Sequence, residues 1–217
     1  METVRQAATP ATPSTPAQHD RRARMLQVAT AMLATGGEEA LQMKELAERA
    51  GVSLATLYRY FPSKDHVLLA IAYSRYKNAL RRVSGEAPPG DTVQERVTSH
   101  LLREFRAEQR DQLLTAAMVR VLNDTRPEYS QVIGEVVQTH MQVLEHIATA
   151  GSPVSPGLRQ RLDISCDAFT AATRRWLAGV SSAADARFEI RMGCYVLSAP
   201  DSSPVHAMAS LPPSGGA

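Results

Sequence analysis

Apolar residues recur at intervals of three and four positions along most of this chain. Short groups of this kind stand at Leu26, Ala29 and Leu33, at Leu46, Ala47 and Ala50, and at Val67, Leu68, Ile71 and Ala72. Longer groups follow at 93–105, 114–122 and 132–144, and two more patterns run from about 158 to 180 and from about 183 to 197. This spacing places apolar side chains on one face of a helix, and no alternating strand pattern of any length interrupts it. The pattern therefore predicts an all-α protein of about nine helices.

Segments rich in proline, glycine and serine divide the chain. The segment VSGEAPPG, residues 83–90, separates short helical patterns from longer ones. We therefore expect a small helical head over residues 19–66 and a larger helical body over residues 67–199. Residues 1–18 and 200–217 are rich in small residues and proline and bury too little apolar surface to offset their ordering entropy, so both are predicted to be disordered tails.

The composition indicates an ordinary globular protein of 217 residues, of which 44% are hydrophobic and 21% are charged. No apolar run approaches the roughly 20 residues of a membrane span, and the amino-terminal segment lacks the apolar stretch of a signal peptide. We therefore expect a cytoplasmic protein. Cys166 and Cys194 are far apart and lack CxxC spacing, so we expect two buried free thiols, no metal site and no cofactor.

Charge is distributed unevenly along the chain. Residues 19–82 carry 11 Lys and Arg against 6 Asp and Glu, whereas residues 83–217 carry 12 against 15. The overall net charge of +2 conceals this difference. A basic amino-terminal third followed by a mildly acidic remainder indicates that a polyanion binds at one end of the chain only.

The segment KELAERAGVSLATLYRYF, residues 44–61, has the pattern of two short helices joined by a tight turn. Gly51 can adopt the left-handed backbone conformation that ends the first helix, and Ser53 can cap the start of the second. The apolar joint that sets the angle between the helices is expected from Leu46, Ala47, Val52 and Leu57. This is the construction of a helix-turn-helix, although a plain two-helix corner would share the same turn.

The second helix of a helix-turn-helix presents its amino-terminal residues to base edges in the major groove. These residues are Ser53, Leu54, Ala55 and Thr56. Residues at the far end of the helix meet the sugar-phosphate backbone, and stiff donors with a long reach suit that task. They are Tyr58, Arg59, Tyr60 and Lys64, whereas Phe61 is expected to turn inward. Because these cues agree with the basic charge of the head, DNA binding is favoured over a plain corner.

The segment ALQMKELAERAGVSLATLYRYFPSKDHVLLA resembles the amino-terminal signature of the TetR family of transcriptional regulators, and the similarity covers residues 24–70. The resemblance implies a homodimer with a three-helix DNA-binding head and a variable ligand-binding body. It also implies operator contacts from Ser53, Leu54, Ala55, Thr56, Tyr58, Tyr60 and Lys64. Two positions depart from the family pattern. Gln42 and Met43 stand at the start of the second helix, where the family usually has a Thr for the cap and for one phosphate contact, and Gln42 is the candidate for DNA contact there. Leu54 stands where Lys is frequent.

More narrowly, QMKELA, TLYRYFPSK and LLTAAMVR are similar to the KstR-type branch, which controls sterol and lipid catabolism in actinobacteria. This similarity implies a repressor that binds a palindromic operator as a dimer and is released by a small apolar effector, such as a lipid or an acyl-CoA thioester. Arg103, Arg106 and Arg120 are available as cations for the phosphates of CoA, but solvated helix faces explain these arginines equally well.

The body contains large or soft apolar residues on four helices that suit an adaptable ligand pocket, namely Phe105, Met118, Leu122, Met141, Phe169 and Trp176. At helical spacing, residues of these types more often form plain core. The last two helices hold more apolar bulk than one outer face needs, in Phe169, Trp176, Leu177, Phe188, Tyr195 and Leu197. The TetR family places its dimer interface there, as a four-helix bundle with two helices from each partner.

Two alternatives compete with a ligand-responsive regulator. An all-α enzyme is disfavoured because the chain has no HExxH, GxSxG, P-loop or GxGxxG motif. In addition, we expect no helix face to combine His100, His140 or His146 with carboxylates at ligand spacing, so no enzymatic activity is predicted. The second alternative keeps the DNA-binding head and lets the body bind a protein partner in place of a small molecule. The residues alone do not decide between repression and activation, because that depends on where the operator lies relative to a promoter.

Overall fold

A computed structural model describes residues 13–85 and 88–199 of the chain, and within these ranges it contains nine α-helices and no strand. The helices are α1 (Pro16–Ala40), α2 (Met43–Arg49), α3 (Leu54–Tyr60), α4 (Lys64–Val83), α5 (Val93–Arg110), α6 (Gln112–Leu122), α7 (Pro127–Thr149), α8 (Pro156–Leu177) and α9 (Ala183–Cys194). A 3-10 turn over Tyr195–Ser198 follows α9. The predicted all-α fold of about nine helices is confirmed. No helix of the described ranges combines the length and the apolar content that crossing a membrane requires.

The first helix begins earlier than its sequence pattern predicts. Thr15 caps α1 by accepting a hydrogen bond from the backbone N–H of Gln18, and Pro16 occupies the first helical position, where its missing N–H costs nothing. The prediction of a disordered tail that extends to residue 18 is therefore wrong for residues 16–18. The rest of the predicted tails, residues 1–12 and 200–217, lies outside the described residues.

The chain forms two compact units, and each combines segments that are distant in sequence. Among the described residues, the first unit comprises 13–77 and 108–138, and the second comprises 78–85, 88–107 and 139–199. Fully buried side chains at the centre of the first unit include Met25, Leu33, Leu46, Leu57 and Leu68. Those of the second unit include Val97, Leu101, Phe105, Leu144 and Leu162. Helix α6 and the first part of α7 thus share an apolar core with α1–α4.

Helices α8 and α9 of the second unit approach each other very closely at Gly193. A Cβ atom placed on Gly193 would lie 2.2 Å from the Cβ of Ala168, a separation that real side chains do not reach. The Ser165 hydroxyl donates to the carbonyl oxygen of Gly193 at 3.2 Å. The absence of a side chain at Gly193 therefore allows these two helices to make backbone-level contact.

Candidate nucleic-acid interface

The segment from α2 to α3 has the local geometry that its sequence predicts. Gly51 has a φ of 67° with nothing near the place of a Cβ, so the backbone conformation, and not lack of space, requires glycine there. The Val52 N–H donates to the carbonyl oxygen of Ala47 at 3.0 Å, which closes the end of α2. Ser53 caps α3 by accepting from the backbone N–H of Thr56 at 3.1 Å. The predicted turn and cap are confirmed.

The joint between α2 and α3 is apolar, as predicted. Leu46, Ala47 and Leu57 are buried in the core of the first unit, and Val52 is half-buried against it. Because these side chains come from both helices and from the turn, they hold α3 at one angle to α2. The opposite side of α3 is therefore left to face solvent.

The exposed side of α3 carries most of the residues predicted to face DNA. Ser53, Leu54 and Ala55 are exposed, and 43% of Tyr58 is exposed. Thr56 is half-buried, and its side-chain oxygen accepts a hydrogen bond from the Ser53 hydroxyl at 2.9 Å. A hydroxyl that accepts in this way keeps its own hydrogen for a second bond. The amino-terminal end of α3 thus presents small and hydroxyl-bearing side chains.

Tyr60 departs from the expectation that its ring faces outward. Only 3% of Tyr60 is exposed, and the residue belongs to the core of the first unit together with Phe61. The guanidinium of the exposed Arg59 lies 5.6 Å from the centre of the Tyr60 ring and covers it. The expectation for Tyr60 is corrected because α3 packs on the rest of the head through this ring as well as through Leu57. The inward position expected for Phe61 is confirmed.

Lys64 and Gln42 are each tied to the end of α1. Lys64 is the first residue of α4, and its Nζ donates to the carbonyl oxygen of Glu38 at 2.9 Å. The exposed Gln42 precedes α2 without capping it, and its side-chain amide donates to the carbonyl oxygen of Glu39 at 2.9 Å. The substitution of Gln for the usual Thr therefore removes the side-chain cap of α2, while both residues help to hold the loop after α1.

A cluster of ion pairs, which we call the arginine latch, stabilises the start of α4. It comprises Glu38, Asp65, Arg120, Asp124 and Arg126. Arg120 contacts Glu38 and Asp65 at 2.6 Å each, and Arg126 contacts Asp65 at 2.5 Å and Asp124 at 2.6 Å. Partial burial alone would raise the pKa of Asp65, but the hydrogen bonds and charges of the two arginines outweigh it and lower that pKa. The latch connects α6 and the loop after it to Asp65, in the first turn of α4 and next to Lys64.

We expect Asp65→Asn to destabilise the protein by about 1–2 kcal/mol at pH 7, because it removes a carboxylate between two partly exposed arginines. The lowered pKa sets the sign of the pH dependence. The contribution of Asp65 is fully present above the unfolded-state pKa of about 3.9 and is lost as the pH falls through the lower folded-state pKa. Urea unfolding of the wild type and of Asp65→Asn from pH 7 down to pH 3 measures this contribution. The difference between their free energies of unfolding should narrow only below about pH 4.

Asp163→Asn is the matched control for this prediction. Asp163 is an exposed aspartate on α8 that lies 3.6 Å from a single arginine, Arg159. Its replacement should change the free energy of unfolding by less than about 0.5 kcal/mol. Equal effects of the two substitutions would contradict a specific role of Asp65 in the latch.

The six residues predicted to line a ligand pocket are divided between the two units. Phe105, Met141 and Phe169 are buried in the core of the second unit, and Trp176 packs against that core with its ring edge-on to Phe105 at 5.2 Å. Met118 belongs to the core of the first unit, and Leu122 is partly buried against that core. Arg120 is engaged in the latch, while Arg103 and Arg106 are exposed. The assignment of a pocket lining to these six residues stays a prediction.

Histidines and a carboxylate come together in the second unit, contrary to the sequence-based expectation. His100 and Glu104 lie one turn apart on α5 with Nε2 3.7 Å from Oε2, and His140 of α7 brings its Nε2 to 3.2 Å from the same oxygen. The spacing of His100 and Glu104 was visible in the sequence, whereas the approach of α7 was not. Cys194 is buried as expected, but Cys166 is half-buried, with its Sγ 3.6 Å from Nδ1 of His140.

One face of α9 and the turn after it carries exposed apolar side chains, which we call the α9 stripe. It consists of Phe188, Met192 and Tyr195, whose spacing of four and three residues aligns them, and they are 64%, 51% and 64% exposed. Phe169 and Leu197, which the sequence placed in the same outer group, are buried instead. Helix periodicity alone could not separate the two sets, because α8 and α9 both carry apolar residues on buried and on exposed faces.

Comparison with known protein families gives two matches that together span most of the chain. Residues 25–71 match the family described as bacterial regulatory proteins, tetR family. Residues 90–197 match the family described as the tetracyclin repressor-like C-terminal domain. The first match contains the whole α2–α3 segment, and the second contains α5 to α9.

Individual relatives agree with these matches. The chain is 36% identical over 172 residues to the HTH-type transcriptional repressor KstR of Rhodococcus jostii. The alignment covers 79% of this chain and 80% of that protein. A TetR transcriptional regulator from Rhodococcus sp. RHA1 superimposes with a TM-score of 0.74 at 28% identity, over 84% of this chain and 97% of that one. FadR of Thermus thermophilus, a repressor crystallised with lauroyl-CoA, shares the fold with a TM-score of 0.65 at 19% identity, over 81% and 92% of the two chains.

Proposed function

Because this chain belongs to the TetR family of bacterial regulatory proteins, and within it to the branch of the KstR repressors, we propose that it represses transcription as a homodimer on a palindromic operator and leaves that operator when an apolar effector binds. As a DNA-binding regulator it would act on the chromosome, in the cytoplasm. The observation that carries the proposal is the outward face of α3, where small, apolar and hydroxyl-bearing residues precede an exposed tyrosine.

The proposed DNA contacts divide into two kinds. The end of α3 at Ser53, Leu54 and Ala55 is narrow enough to enter the major groove, where an alkyl group can touch a thymine methyl. The Thr56 hydroxyl is the strongest candidate for a base contact because it retains a hydrogen to donate. Tyr58 and Arg59 lie beyond these residues on α3 and are proposed to contact phosphates, which position the helix without specifying sequence.

Lys64 is proposed to contact phosphate as well. Its ammonium group has three donors, and the bond to Glu38 uses one of them. That bond holds the ammonium at the start of α4, where the helix dipole also favours an anion. A positioned ammonium loses less conformational entropy on binding phosphate than a freely rotating one would.

We expect Tyr58→Phe and Lys64→Ala to weaken binding to all DNA sequences, each by about 3- to 10-fold, since each removes one donor to phosphate. Only Lys64→Ala should flatten the dependence of affinity on salt, by a slope of about 1 per protomer, because only the lysine releases a counterion. Thr56→Ala should instead change which base is preferred. Fluorescence anisotropy on an operator panel at several salt concentrations measures all three effects.

Lys77→Ala is the matched control, since Lys77 is an exposed lysine of the same helix whose Nζ lies over the ring of Tyr73. The dependence of DNA affinity on salt concentration should be the same for Lys77→Ala as for the wild type, within experimental error. If Lys64→Ala lowers the free energy of unfolding while the salt slope is unchanged, Lys64 is only a structural tie to Glu38 and its phosphate contact is refuted.

The effector is proposed to be apolar because the second unit is built around large aromatic and sulfur-containing side chains. Phe105, Met141, Phe169 and Trp176, which all lie in this unit, are the proposed lining there. A fatty acyl thioester is the favoured class, in keeping with the lauroyl-CoA bound by FadR. Such a ligand weakens DNA binding only by its differential affinity for the DNA-binding and non-binding forms.

The most direct test is a footprint on the DNA that flanks the protein's own gene, repeated with CoA, a short acyl-CoA and a long acyl-CoA. The proposal predicts protection of an inverted repeat that is lost only with the long acyl-CoA. Protection that no thioester or lipid disturbs would favour regulation of the body by a protein partner. Absence of any protected site would contradict the proposal for this locus.

A further inference from the structure

Cys166, His140 and Glu104 form a continuous chain of polar contacts across three helices of the second unit. The Sγ of Cys166 on α8 lies 3.6 Å from Nδ1 of His140 on α7, and the opposite ring nitrogen lies 3.2 Å from the Glu104 carboxylate on α5. We call this arrangement the thiol relay. A nucleophile beside a base, with the base oriented by a third group, is the arrangement that activates nucleophiles in proteins.

The charges in the thiol relay favour an imidazolium beside the sulfur. Burial alone would lower the pKa of His140, but the Glu104 carboxylate and the neighbouring sulfur outweigh it and raise that pKa well above its usual value. His100 contacts the same carboxylate, yet burial lowers its pKa and the charge of His140 adds to that effect. Glu104 therefore lies between two histidines, and the one whose pKa is raised is the histidine next to Cys166.

The two cysteines of this unit have opposite surroundings. Cys194 is fully buried, and burial raises the pKa of its thiol. Cys166 is half-buried and lies at the edge of the apolar core, one turn before Phe169, whose ring stands edge-on to His140 at 6.1 Å. A thiol ionises and reacts where a cation lies beside the sulfur and a reagent can reach it. Burial in apolar surroundings suppresses both the ionisation and the reaction. The molecule thus carries one candidate nucleophile and one inert thiol as its internal reference.

We propose that Cys166 is a site of covalent modification by apolar electrophiles of the α,β-unsaturated carbonyl class. In the reaction, His140 holds the proton of the thiol on Nδ1, and the sulfur forms a bond to the β-carbon of the acceptor. The electron pair of the carbon–carbon double bond moves onto the carbonyl oxygen as an enolate. The proton then passes from His140 to the α-carbon, so the product is a thioether, with no leaving group and no oxidant.

The apolar edge at Phe169 selects the class of electrophile. A charged electrophile would lose hydration on approaching the core without gaining a partner, whereas an apolar acceptor gains by burial. A protonated His140 beside the sulfur would stabilise the negative charge that develops on the carbonyl oxygen. This proposal concerns the chemistry of the second unit and does not depend on the identity of the effector.

N-Ethylmaleimide, an α,β-unsaturated imide, is a suitable probe, and peptide mass spectrometry of the full chain reports modification of each cysteine separately. In the native protein at pH 7 we expect Cys166 to react at least about 10-fold faster than the same cysteine in urea-unfolded protein, and Cys194 to react more slowly than when unfolded.

Two variants test the relay, and one serves as control. His140→Gln should slow modification of Cys166 by at least about 10-fold at pH 7, and Glu104→Gln should slow it by a smaller factor. His100→Gln, which alters the same carboxylate without touching the sulfur, should leave the rate within about twofold. Circular dichroism confirms that each variant is folded, and the ratio of native to unfolded rates for Cys166 in the wild type remains decisive if a variant is not.

A native Cys166 rate at or below the unfolded rate would overturn the proposal. Equal rates for His140→Gln and wild type, with both folded, would show that the sulfur is accessible but not activated, and would overturn it too.

Discussion

Phe188→Glu is expected to convert the protein to a monomer and to lower its affinity for a palindromic operator by at least about 100-fold, because the second half-site then no longer gains from tethering. Phe188 is 64% exposed in a single chain and stands in the α9 stripe with Met192 and Tyr195. An aligned row of exposed apolar side chains of this size marks a surface that another molecule covers. In the proposed homodimer, that molecule is the same stripe of a second copy.

The size of this effect follows from where the charge would be placed. A glutamate at the centre of an apolar interface is desolvated without a partner, and two-fold symmetry places a second glutamate near it. Sedimentation velocity measures the oligomeric state, and anisotropy on full and half operators measures affinity. Half-site binding should be retained, since α2 and α3 lie in the other compact unit.

Val180→Glu is the matched control, because Val180 is 73% exposed in the connection before α9 and lies outside the stripe. It should leave the protein dimeric. A Phe188→Glu protein that remains a dimer with unchanged operator affinity would show that the α9 stripe is not the interface between copies.

Gly193→Ala should destabilise the protein by about 2 kcal/mol, although alanine favours helices, because the added methyl overpacks the contact between α8 and α9. The new Cβ would lie 2.2 Å from that of Ala168, so the helices must separate by about 1.5 Å to restore ordinary carbon contacts. Separation would also stretch the hydrogen bond from the Ser165 hydroxyl to the carbonyl of Gly193. Urea denaturation measures the change as a shift in midpoint with an unchanged slope.

Gly134→Ala is the control for helix propensity. Gly134 lies within α7, and nothing stands within 4 Å of the place where its Cβ would be. Its replacement should stabilise the protein by up to about 1 kcal/mol. The double variant Ala168→Gly with Gly193→Ala moves the methyl across the contact and should recover most of the lost stability. Additive losses in the double variant would contradict a direct steric contact between the two positions.

The helix-turn-helix could be predicted because its determinants are local. The turn depends on the conformational freedom of Gly51, and the start of α3 on a cap three residues away from its donor. Both are interactions that a short peptide segment already contains. The exposed position of Tyr58 and the inward position of Phe61 also agreed with expectation, since neighbouring helical positions point in different directions.

Tyr60 shows where local reasoning failed. Residues 58 and 60 are two positions apart on one helix and were both expected to face outward, but the structure exposes the first and buries the second. The difference in direction between the two side chains was predictable, whereas the side of α3 that is packed depended on where the other helices of the first unit lie. The arginine latch has the same origin, because Asp65 and Arg120 are 55 residues apart in sequence.

The sequence by itself determined the helical class, the position of the turn and the basic head, since spacing, caps and charge act over a few residues. Only the tertiary structure decided that α6 packs with the head, that Cys166 meets His140 and Glu104 from three helices, and that Phe188 rather than Phe169 faces outward. These outcomes depend on side chains brought together from distant parts of the chain. An apolar residue at helical spacing has the same local pattern on a buried face as on an exposed one, and the packing of neighbouring helices distinguishes them.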